Sequence, residues 1–300
     1  MDALTDLTGR TMVITGATSG IGLAAADALA GRGAWLIGVG RSPARCEQAH
    51  AQIAAAHPGV EVEFLTADLA SQRQVRGLAG EIRQRLQGAG RGLDVLINNA
   101  GTVASRRTVT EDDYELQFAV NHLAPFLLTH ELLPLLRQAP AGRVVTVSSA
   151  SHRGMRMHWA DVMYRRGYFI LLSYKQSKLA NVLFSAEFNR RYGPGSRLRA
   201  YAADPGLVNT GMGGKGTGGL VAWFWNRRRK EGAAPEQGAA TVVYLAAQAE
   251  LPEPDAVYWK DCRPLAPDSY ALREDAAARL WQLSARLCGI DGAGLSASAR

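Results

Sequence analysis

The stretch Thr15-Gly16-Ala17-Thr18-Ser19-Gly20-Ile21-Gly22 joins a short apolar run to an amphipathic one, and it decides the fold. Residues 11–15 before it have the pattern of a buried strand, and residues 21–30 after it repeat apolar side chains at helical spacing. Glycines in such a turn let backbone N–H groups approach a pyrophosphate at the helix N-terminus. The spacing G-x-x-x-G-x-G therefore predicts a dinucleotide-binding turn, the alternative being a glycine-rich turn without a ligand.

The rest of the chain alternates short apolar runs with longer amphipathic stretches. The predicted strands are residues 11–15, 34–39, 60–65, 93–97, 143–148, 197–202 and 256–260. The predicted helices are residues 21–30, 44–56, 72–86, 112–136, 173–192, 235–247 and 270–287. Strands that alternate with helices of this length indicate an α/β fold, a Rossmann-type doubly wound parallel sheet.

Length and patterning favour one domain over residues 1–300. A chain of 300 residues could form one large α/β domain or two small ones, but no internal repeat and no Pro- or Ser-rich linker divides it. Residues 151–172 and 209–234 interrupt the alternation as long connections, which in compact domains are often lids or binding loops. Residues 289–300 are small and polar, and we expect them to fray.

Composition limits the compartment and the ligands. With 47% hydrophobic and 20% charged residues, the chain has the composition of a folded globular protein. Its three cysteines, Cys46, Cys262 and Cys288, show neither metal-binding spacing nor a disulfide framework, which fits a reducing compartment. Residues 1–10 carry no secretory signal, and no apolar run approaches the roughly 20 residues that span a bilayer. We therefore expect a cytoplasmic protein with no metal site and no transmembrane segment.

The net charge of +7 allows two interpretations. One is arginine dispersed over a soluble surface; the other is attraction to an anionic cofactor or to a membrane surface, so peripheral membrane contact stays open. The run Arg227-Arg228-Arg229-Lys230 has similar alternatives, namely a solvated helix face, a membrane contact or a handle for an anionic substrate. No basic stripe interleaved with aromatic residues occurs, so nucleic-acid binding is not expected.

The end of the second predicted strand bears on the choice of cofactor. It reads Gly38-Val39-Gly40-Arg41, with Arg45 one helical turn later. An acidic residue at this point would bind the ribose 2′-hydroxyl of NAD, whereas an arginine suits the 2′-phosphate of NADP. We therefore expect NADP(H) to be preferred over NAD(H), the alternative being a surface arginine with no ligand.

Tyr174 and Lys178 lie four residues apart in the predicted helix 173–192. That spacing puts both side chains on one helix face. A phenol beside an ammonium group can release or take a proton nearer neutral pH, because the cation favours the phenolate. The pair is therefore a candidate for general acid–base chemistry.

Together these features resemble the classical short-chain dehydrogenase/reductase family along nearly the whole chain. The matching segments keep the family's order: residues 15–22, Asp68-Leu69, Asn98-Asn99-Ala100-Gly101, Asn121, Ser149, Tyr174 with Lys178, and Pro205-Gly206 with Thr210. The resemblance implies a cofactor held by Gly16, Thr18, Ser19, Gly20, Ile21, Gly22, Arg41, Asp68, Leu69, Asn98, Ala100, Gly101, Tyr174, Lys178, Pro205, Gly206, Val208 and Thr210.

The resemblance also implies a role for each of four side chains. Tyr174 would protonate the carbonyl oxygen as general acid, and Lys178 would lower the pKa of Tyr174 and hold the nicotinamide ribose. Ser149 would donate a hydrogen bond to the developing oxyanion, and Asn121 would carry a water in a proton relay. The structural alternatives are that Ser149 merely ends a strand and that Asn121 caps backbone groups.

Within the family, the chain is most similar to the retinol dehydrogenase-like subgroup. The similarity rests on residues 115–123, on the long gap between Ser149 and Tyr174, on residues 177–184 and on residues 258–264. One departure is the lack of the N-terminal membrane anchor that many such enzymes carry. Another is Asp204 before Pro205-Gly206, where histidine or asparagine is more usual, and the sequence does not explain it.

Apolar residues in the two long connections suggest the substrate class. Met155, Trp159 and Met212 are the candidate substrate contacts, and Met and aromatic side chains on such segments suit a bulky apolar ligand. The alternative is that they pack their own loops onto the sheet. The leading hypothesis is an NADPH-dependent oxidoreductase that acts on the carbonyl or alcohol of a lipophilic substrate.

Two other functions and two assembly states remain open. The chain could instead reduce a carbon–carbon double bond with NADPH, or it could be a non-catalytic NADP-binding regulator on the same fold. The resemblance places the family's usual dimer surface on helices 112–136 and 173–192, although its subgroup includes monomers. Monomer and homodimer are therefore both compatible with the sequence.

Overall fold

A computed structural model describes residues 5–208 and 233–290 of the chain. Its centre is one eight-stranded sheet with the order β3-β2-β1-β4-β5-β6-β7-β8. The strands are β1 (Thr11–Thr15), β2 (Trp35–Gly40), β3 (Val62–Thr66), β4 (Val95–Asn98), β5 (Arg143–Val147), β6 (Arg199–Asp204), β7 (Tyr258–Lys260) and β8 (Arg263–Pro264). All neighbours pair in parallel except β7 and β8, which are antiparallel. The predicted doubly wound α/β sheet is confirmed.

Helices cover both faces of this sheet. In the described residues they are α1 (Gly20–Ala30), α2 (Pro43–Ala56), α3 (Gln72–Gly88), α4 (Leu116–Phe118), α5 (Ala124–Gln138), α6 (Ile170–Tyr192), α7 (Pro235–Ala247) and α8 (Glu274–Leu287). The apolar side chains of α1 and α7 belong to one core cluster, and those of α3, α5, α6 and α8 belong to the other. None of the helices within the described ranges is long and apolar enough to cross a membrane.

The strands are apolar on both sides because each face of the sheet is covered. Val13 and Leu96 point into the core cluster under α3 and α5, while Met12 and Ile14 point into the cluster under α1 and α7. All four side chains are fully buried. Burial of each such side chain stabilises the fold by about 1.5–3 kcal/mol, so the sheet holds the strand ends rigidly in place.

The predicted helix 112–136 is wrong at its start, because residues 112–115 are not helical. The chain makes a turn at Asp113, whose φ is +64°, and α4 begins only at Leu116. The buried Glu115 carboxylate accepts hydrogen bonds from the N–H groups of Gln117 (3.0 Å) and Phe118 (2.8 Å), which fixes this start. Residues Ala119–Leu123 then form a π-helical turn before α5 continues to Gln138.

Smaller differences concern the C-terminal part. The predicted helix 270–287 is divided into a 3₁₀ turn, Ser269–Leu272, and helix α8. Strand β8 was not expected, and α6 begins three residues earlier than the pattern indicated, at Ile170. Most of the segment 209–234 and of the tail 289–300 lies outside the described residues.

Candidate active site

The candidate residues gather at the carboxyl ends of the central strands. Strands β1, β4, β5 and β6 are neighbours in the sheet, and each is followed by one of the predicted motifs. In open α/β sheets, ligands bind in the crevice outside these strand ends, where the strand order reverses. Here the order reverses between β1 and β4, beside the glycine turn.

The glycine turn is tight enough to exclude side chains. Gly16 has a φ of +69°, and a Cβ atom on it would lie 2.9 Å from the Ala100 Cα atom. A Cβ atom on Gly22 would lie 2.2 Å from the Gly16 carbonyl oxygen. Ser19, the residue before α1, makes no capping hydrogen bond with its side chain. The N-terminus of α1 therefore offers backbone N–H groups to an anion.

Thr15 and Asn99 hold this turn against the end of β4. The Asn99 side-chain amide donates hydrogen bonds to the carbonyl oxygens of Thr15 (2.8 Å) and Gly16 (3.3 Å). The Thr15 hydroxyl oxygen accepts from the N–H groups of Asn99 and Ala100, each at 3.1 Å. Asn99 thus holds the glycine turn from behind, whereas Asn98 donates to the Thr129 hydroxyl of α5 at 3.1 Å.

Arg41 follows β2 directly and is exposed, as is Arg45. A Cβ atom on Gly40 would lie 2.4 Å from the Thr18 methyl carbon, so the glycine turn and the end of β2 are in contact. Thr18 and Arg41 therefore lie at one edge of the crevice. Asp68 and Leu69 follow β3, and the Asp68 Oδ1 atom accepts from the Ala70 N–H group at 3.0 Å, which fixes the turn.

Helix α6 brings Tyr174 and Lys178 to the end of β5. Lys178 is 3% exposed, and its Nζ atom donates a hydrogen bond to the Val147 carbonyl oxygen at 3.0 Å. The same Nζ atom lies 5.7 Å from the centre of the Tyr174 ring. Burial lowers the pKa of Lys178 to about 8, whereas the negative charge of Asp204 acts in the opposite direction.

The pKa of Tyr174 is raised, whereas the resemblance implied that Lys178 would lower it. Burial raises the pKa of Tyr174 to about 12, although its hydrogen bond with Ser149 acts to lower it. Burial outweighs this hydrogen bond, because the charged phenolate loses more than the neutral phenol when water is excluded. Tyr174 is therefore a protonated phenol at neutral pH, the form that can act as an acid.

Asn121 lies in the π-helical turn and connects two parts of the site. Its Oδ1 atom accepts from the Thr102 N–H group at 2.7 Å, and its Nδ2 atom donates to the Thr102 carbonyl oxygen and to the Ser177 hydroxyl, each at 3.0 Å. A Cβ atom on Gly101 would lie 3.4 Å from Asn121 Oδ1 and 3.6 Å from Lys178 Nζ. Asn121 and Lys178 therefore converge on Gly101. Single-turn π-helices occur frequently at functional sites.

Ser149 lies two residues after the end of β5 and caps a short 3₁₀ turn, Ala150–His152. Its side chain is partly exposed, accepts from the Ser151 N–H group at 3.2 Å and shares a hydrogen bond with Tyr174. The His152 Nδ1 atom lies 2.8 Å from the Ser149 carbonyl oxygen. Ser149 thus stands next to the phenol with its backbone fixed.

Pro205 and Gly206 form a turn after β6. Gly206 has a φ of +73°, and its N–H group donates to the Asp204 Oδ1 atom at 2.9 Å. Val208 lies next to this turn against α7, because a Cβ atom on Gly238 would lie 2.4 Å from it and 3.2 Å from Ile21. Thr210, Met212 and the run Arg227 to Lys230 lie outside the described residues.

The two remaining substrate candidates pack against the protein itself. Met155 is buried in the core cluster, and the Trp159 Nε1 atom donates to the Tyr270 hydroxyl at 3.1 Å. The apolar side chains exposed around this part of the chain are different ones: Phe169 (62%), Leu171 (44%) and Leu172 (40%) at the start of α6, and Leu207 (51%) after Gly206. Nothing in the sequence marks Leu171, Leu172 or Leu207, because exposure depends on the fold.

Known proteins resemble this chain over most of its length. A family model described as short chain dehydrogenase matches residues 10–217. Retinol dehydrogenase 14 from Mus musculus is 36% identical over 300 residues, which cover 94% of this chain and 86% of that protein. Polyprenol dehydrogenase from Mus musculus is 36% identical over 295 residues, which cover 95% of this chain and 85% of that protein. A crystal structure of an uncharacterized protein from Mycobacterium Paratuberculosis is 35% identical, has a TM-score of 0.75 and covers 95% of this chain and 96% of its own.

Proposed function

We infer that the chain, which belongs to the short-chain dehydrogenase/reductase family in its retinol dehydrogenase-like subgroup, transfers hydride between a nicotinamide cofactor and an alcohol or carbonyl. We propose that the cofactor is NADP(H), that Tyr174 is the general acid and base, and that the substrate is bulky and apolar. The observation that carries this proposal is the meeting of Tyr174, Ser149 and the buried Lys178 at the strand edge that also holds the glycine turn.

Residues around the glycine turn fit a dinucleotide. Gly16 and Gly22 let the turn close tightly, because a Cβ atom on either would collide with neighbouring protein atoms, and the N-terminus of α1 has no side-chain cap from Ser19. Gly20, Ile21 and the Thr18 hydroxyl complete the surface for the pyrophosphate. The adenine would lie by Asp68 and Leu69, and the nicotinamide half by Asn98, Ala100, Gly101 and the Pro205 to Val208 turn, with Thr210 beyond the described residues.

Arg41 supports the choice of NADP(H) over NAD(H). Its guanidinium group is exposed at the end of β2, next to Thr18 of the glycine turn. A planar guanidinium binds phosphate oxygens with two parallel hydrogen bonds, whereas NAD recognition uses a carboxylate at this position. The segment from Gly38 to Pro43 contains no carboxylate.

Proton transfer is the chain's own part of the reaction. The bound nicotinamide supplies or accepts the hydride. In reduction, the Tyr174 phenol donates its proton to the carbonyl oxygen, and the Ser149 hydroxyl donates a hydrogen bond to the same oxygen. In oxidation, Tyr174 takes the proton of the alcohol. Lys178 stabilises the negative charge on Tyr174 after its proton leaves.

Asn121 supports the proton supply of this pair. Its Oδ1 atom uses one lone pair for the Thr102 N–H group, and the second lone pair faces the space beside Gly101 and Lys178. A water molecule held there would pass a proton to Lys178. The other contacts of Asn121, with Thr102 and Ser177, fix this geometry.

The substrate proposal rests on exposed apolar side chains at the mouth of the site. Phe169, Leu171 and Leu172 precede Tyr174 on the same segment, and Leu207 follows the turn at Gly206. Together they offer an apolar surface on two sides of the reacting groups. Two relatives act, by their names, on retinol and on polyprenol, which are both lipophilic alcohols.

The test is NADPH oxidation at 340 nm with a panel of apolar ketones and aldehydes, with NADH as the control cofactor. We expect an alcohol product and a clear preference for NADPH, and we expect Arg41→Asp to reduce that preference. Saturation of a carbon–carbon double bond would favour the second enzymatic function. NADPH binding without turnover of any substrate would favour a non-catalytic regulator, and a preference for NADH in the parent would overturn the role of Arg41.

A further inference from the structure

Asp204 is a buried carboxylate at the end of β6 whose two oxygens each have a partner. It is 1% exposed. Its Oδ1 atom accepts from the Gly206 N–H group at 2.9 Å, and its Oδ2 atom accepts from the Tyr258 hydroxyl at 2.6 Å. Both carboxylate oxygens are thus hydrogen-bond acceptors, one for a backbone N–H group and one for a phenol O–H group.

Sheet register places this charge beside the proposed catalytic pair. In the pairing of β5 with β6, Val147 is opposite Ala203, the residue before Asp204. The Val147 carbonyl oxygen is the acceptor for Lys178 Nζ at 3.0 Å. Asp204 is therefore the next residue along β6 after Ala203, which pairs with Val147. Val147 is the residue whose carbonyl oxygen accepts the hydrogen bond from Lys178.

The other titratable groups around Asp204 come from each element packed on it. Tyr174 and Lys178 come from α6, while Tyr258 and its strand neighbour Lys260 come from β7, where Lys260 is the register partner of Asp204. The segment after β5 contributes His152 and Arg153: the His152 ring lies 4.7 Å from the Tyr258 ring, centre to centre, and the Arg153 guanidinium lies 5.9 Å from it. Asp268 approaches through its backbone.

His152 is held neutral by its two hydrogen bonds. Its Nε2 atom accepts from the Asp268 N–H group at 3.1 Å, so the ring proton must be on Nδ1, which donates to the Ser149 carbonyl oxygen at 2.8 Å. Burial also lowers the pKa of His152. His152 therefore brings no positive charge towards Asp204, and among the described residues Lys178 is the buried ammonium group.

We propose that Asp204 is a positioning residue: its carboxylate, fixed by Tyr258 and the Gly206 amide, keeps Lys178 in its ammonium form and sets the pH range in which the Lys178–Tyr174 pair exchanges protons. The proposal rests on the proposed function for the role of that pair. It gives a reason for an aspartate before Pro205-Gly206, because the same residue fixes the turn and supplies the charge. Asp204 contacts neither reacting atoms nor substrate.

The directions of the pKa shifts agree with this geometry. The negative charge of Asp204 raises the pKa of Lys178 against the lowering by burial, and it raises the pKa of Tyr174 in the same direction as burial. Removal of the charge therefore lowers both pKa values. Because the two effects have the same sign, the proton loss of the pair moves to lower pH whichever group releases its proton first.

The main test replaces the charge without changing the shape. In Asp204→Asn, the amide oxygen can still accept from Gly206, and the amide nitrogen can donate to the Tyr258 oxygen. The chain has only five lysines, so lysine labelled with ¹³C at Cε gives few NMR signals, and Lys178→Arg assigns the relevant one. We expect the titration midpoint of Lys178 to fall by about one pH unit in Asp204→Asn.

Matched variants separate charge from structure. Tyr258→Phe keeps the charge and removes one hydrogen bond, so the Lys178 midpoint should move by less than half of the shift in Asp204→Asn. Asp255→Asn removes an exposed carboxylate that pairs with Arg199 at 3.1 Å, and it should leave the midpoint unchanged. Asp204→Ser is a second charge-removing variant in case Asp204→Asn does not fold.

A pH profile gives the kinetic readout. For alcohol oxidation, the rising limb of kcat/KM should move to lower pH by about half a unit or more in Asp204→Asn and stay in place in Asp255→Asn. The proposal would be overturned if the titration midpoint of Lys178 differed by less than about 0.2 pH units between the parent protein and Asp204→Asn. Unfolding of both charge-removing variants would overturn it as well. A protein that is inactive on every substrate would contradict the proposed function. The NMR titration needs no turnover, so it would still test whether Asp204 raises the titration midpoint of Lys178.

Discussion

One end of helix α6 is packed against α8, and the other end carries exposed apolar side chains. Tyr174 and Lys178 lie between these two ends. Towards the C-terminal end, Phe184 stacks on Trp281 of α8 with ring centres 5.8 Å apart and planes at 6°. At the other end, Phe169, before the helix, and Leu172, in its first turn, are 62% and 40% exposed. The difference teaches that packing fixes the helix that carries Tyr174 and Lys178 from one side, while apolar side chains stay exposed on the other.

The packed end also bears on assembly. Helix α8 covers the outer face of α5 and α6 through ring contacts of Trp281 with Phe126 (4.9 Å) and Phe184, and the Arg191 guanidinium lies 5.0 Å from the Trp281 ring centre. The resemblance placed a dimer surface on the two helices that α8 now contacts. The dimer surface on these two helices stays a prediction, and monomer and homodimer both remain open.

Tyr174→Phe gives the largest expected effect, because it removes the proton donor between the two ends and leaves the packing of both. Turnover should fall by about a thousandfold, the middle of the range for general acid–base groups, while NADPH binding stays nearly intact. Steady-state kinetics and fluorescence titration with NADPH measure the two effects. Tyr244→Phe on α7 is the matched control and should keep full activity. Full activity in Tyr174→Phe would remove the basis of the assignment.

Trp281→Ala tests the packed end of α6, where Trp281 of α8 contacts Phe184. Loss of a buried tryptophan should reduce the free energy of unfolding by about 3–5 kcal/mol, as followed by circular dichroism in urea. Trp281→Phe keeps a ring against Phe184 and removes an Nε1–H group that is buried without a hydrogen-bond partner in the described residues, so it should cost clearly less. The exposed Leu272 serves as the control, since Leu272→Ala should change stability by less than about 0.5 kcal/mol. A loss below about 1 kcal/mol in Trp281→Ala would mean that α8 does not hold this end.

His122 makes the packed end sensitive to acid. Burial lowers the pKa of His122 to about 4, from a usual value near 6.5, and its Nε2 atom lies 2.8 Å from the Ser284 hydroxyl of α8. The unfolded chain therefore takes up the proton first, and the stability contributed by neutral His122 is present above about pH 6.5 and lost as the pH falls towards 4.

The measurement compares unfolding free energies at pH 7 and pH 5. Between these values the parent should lose about 2 kcal/mol more than His122→Gln, whose side chain does not titrate. Equal losses in the two proteins would show that His122 is protonated without unfolding of the packed end.

Phe169→Ser tests the open end and should give the smallest change in stability, within about 0.5 kcal/mol, because the side chain is already exposed. If this end meets the substrate, KM for apolar ketones should rise by about tenfold, while KM for small polar ketones stays the same. Leu272→Ser is a similar apolar-to-polar change elsewhere on the surface, and it should alter neither of the two KM values. An unchanged KM for every substrate would move the substrate surface away from the start of α6.

The sequence was informative where structure depends on neighbours in the chain. Strand β1 and helix α7 lie at the predicted bounds, and the glycine turn has the predicted place between β1 and α1. Each of these has a local cause, either a run of apolar residues or a glycine that permits a positive φ.

Features made by distant contacts were not predictable. The π-helical turn at Asn121 depends on hydrogen bonds to Thr102 and to Ser177, which is 56 residues away. The partner of Asp204, Tyr258, is 54 residues away. The sequence marked Asp204 as unusual, but only the strand order explains why a carboxylate can be stable there. The same is true of Met155, whose burial depends on how its loop returns to the sheet.

The contact between His122 and Ser284 joins positions 162 residues apart. Chains are synthesised from the N-terminus, so the π-helical turn that carries Asn121 leaves the ribosome long before α8 exists. Until α8 arrives, the aromatic rings of Phe126 and Phe184 lack the indole that covers them and are open to chaperones. A nascent chain stalled before α8 would therefore expose apolar rings that the folded protein covers.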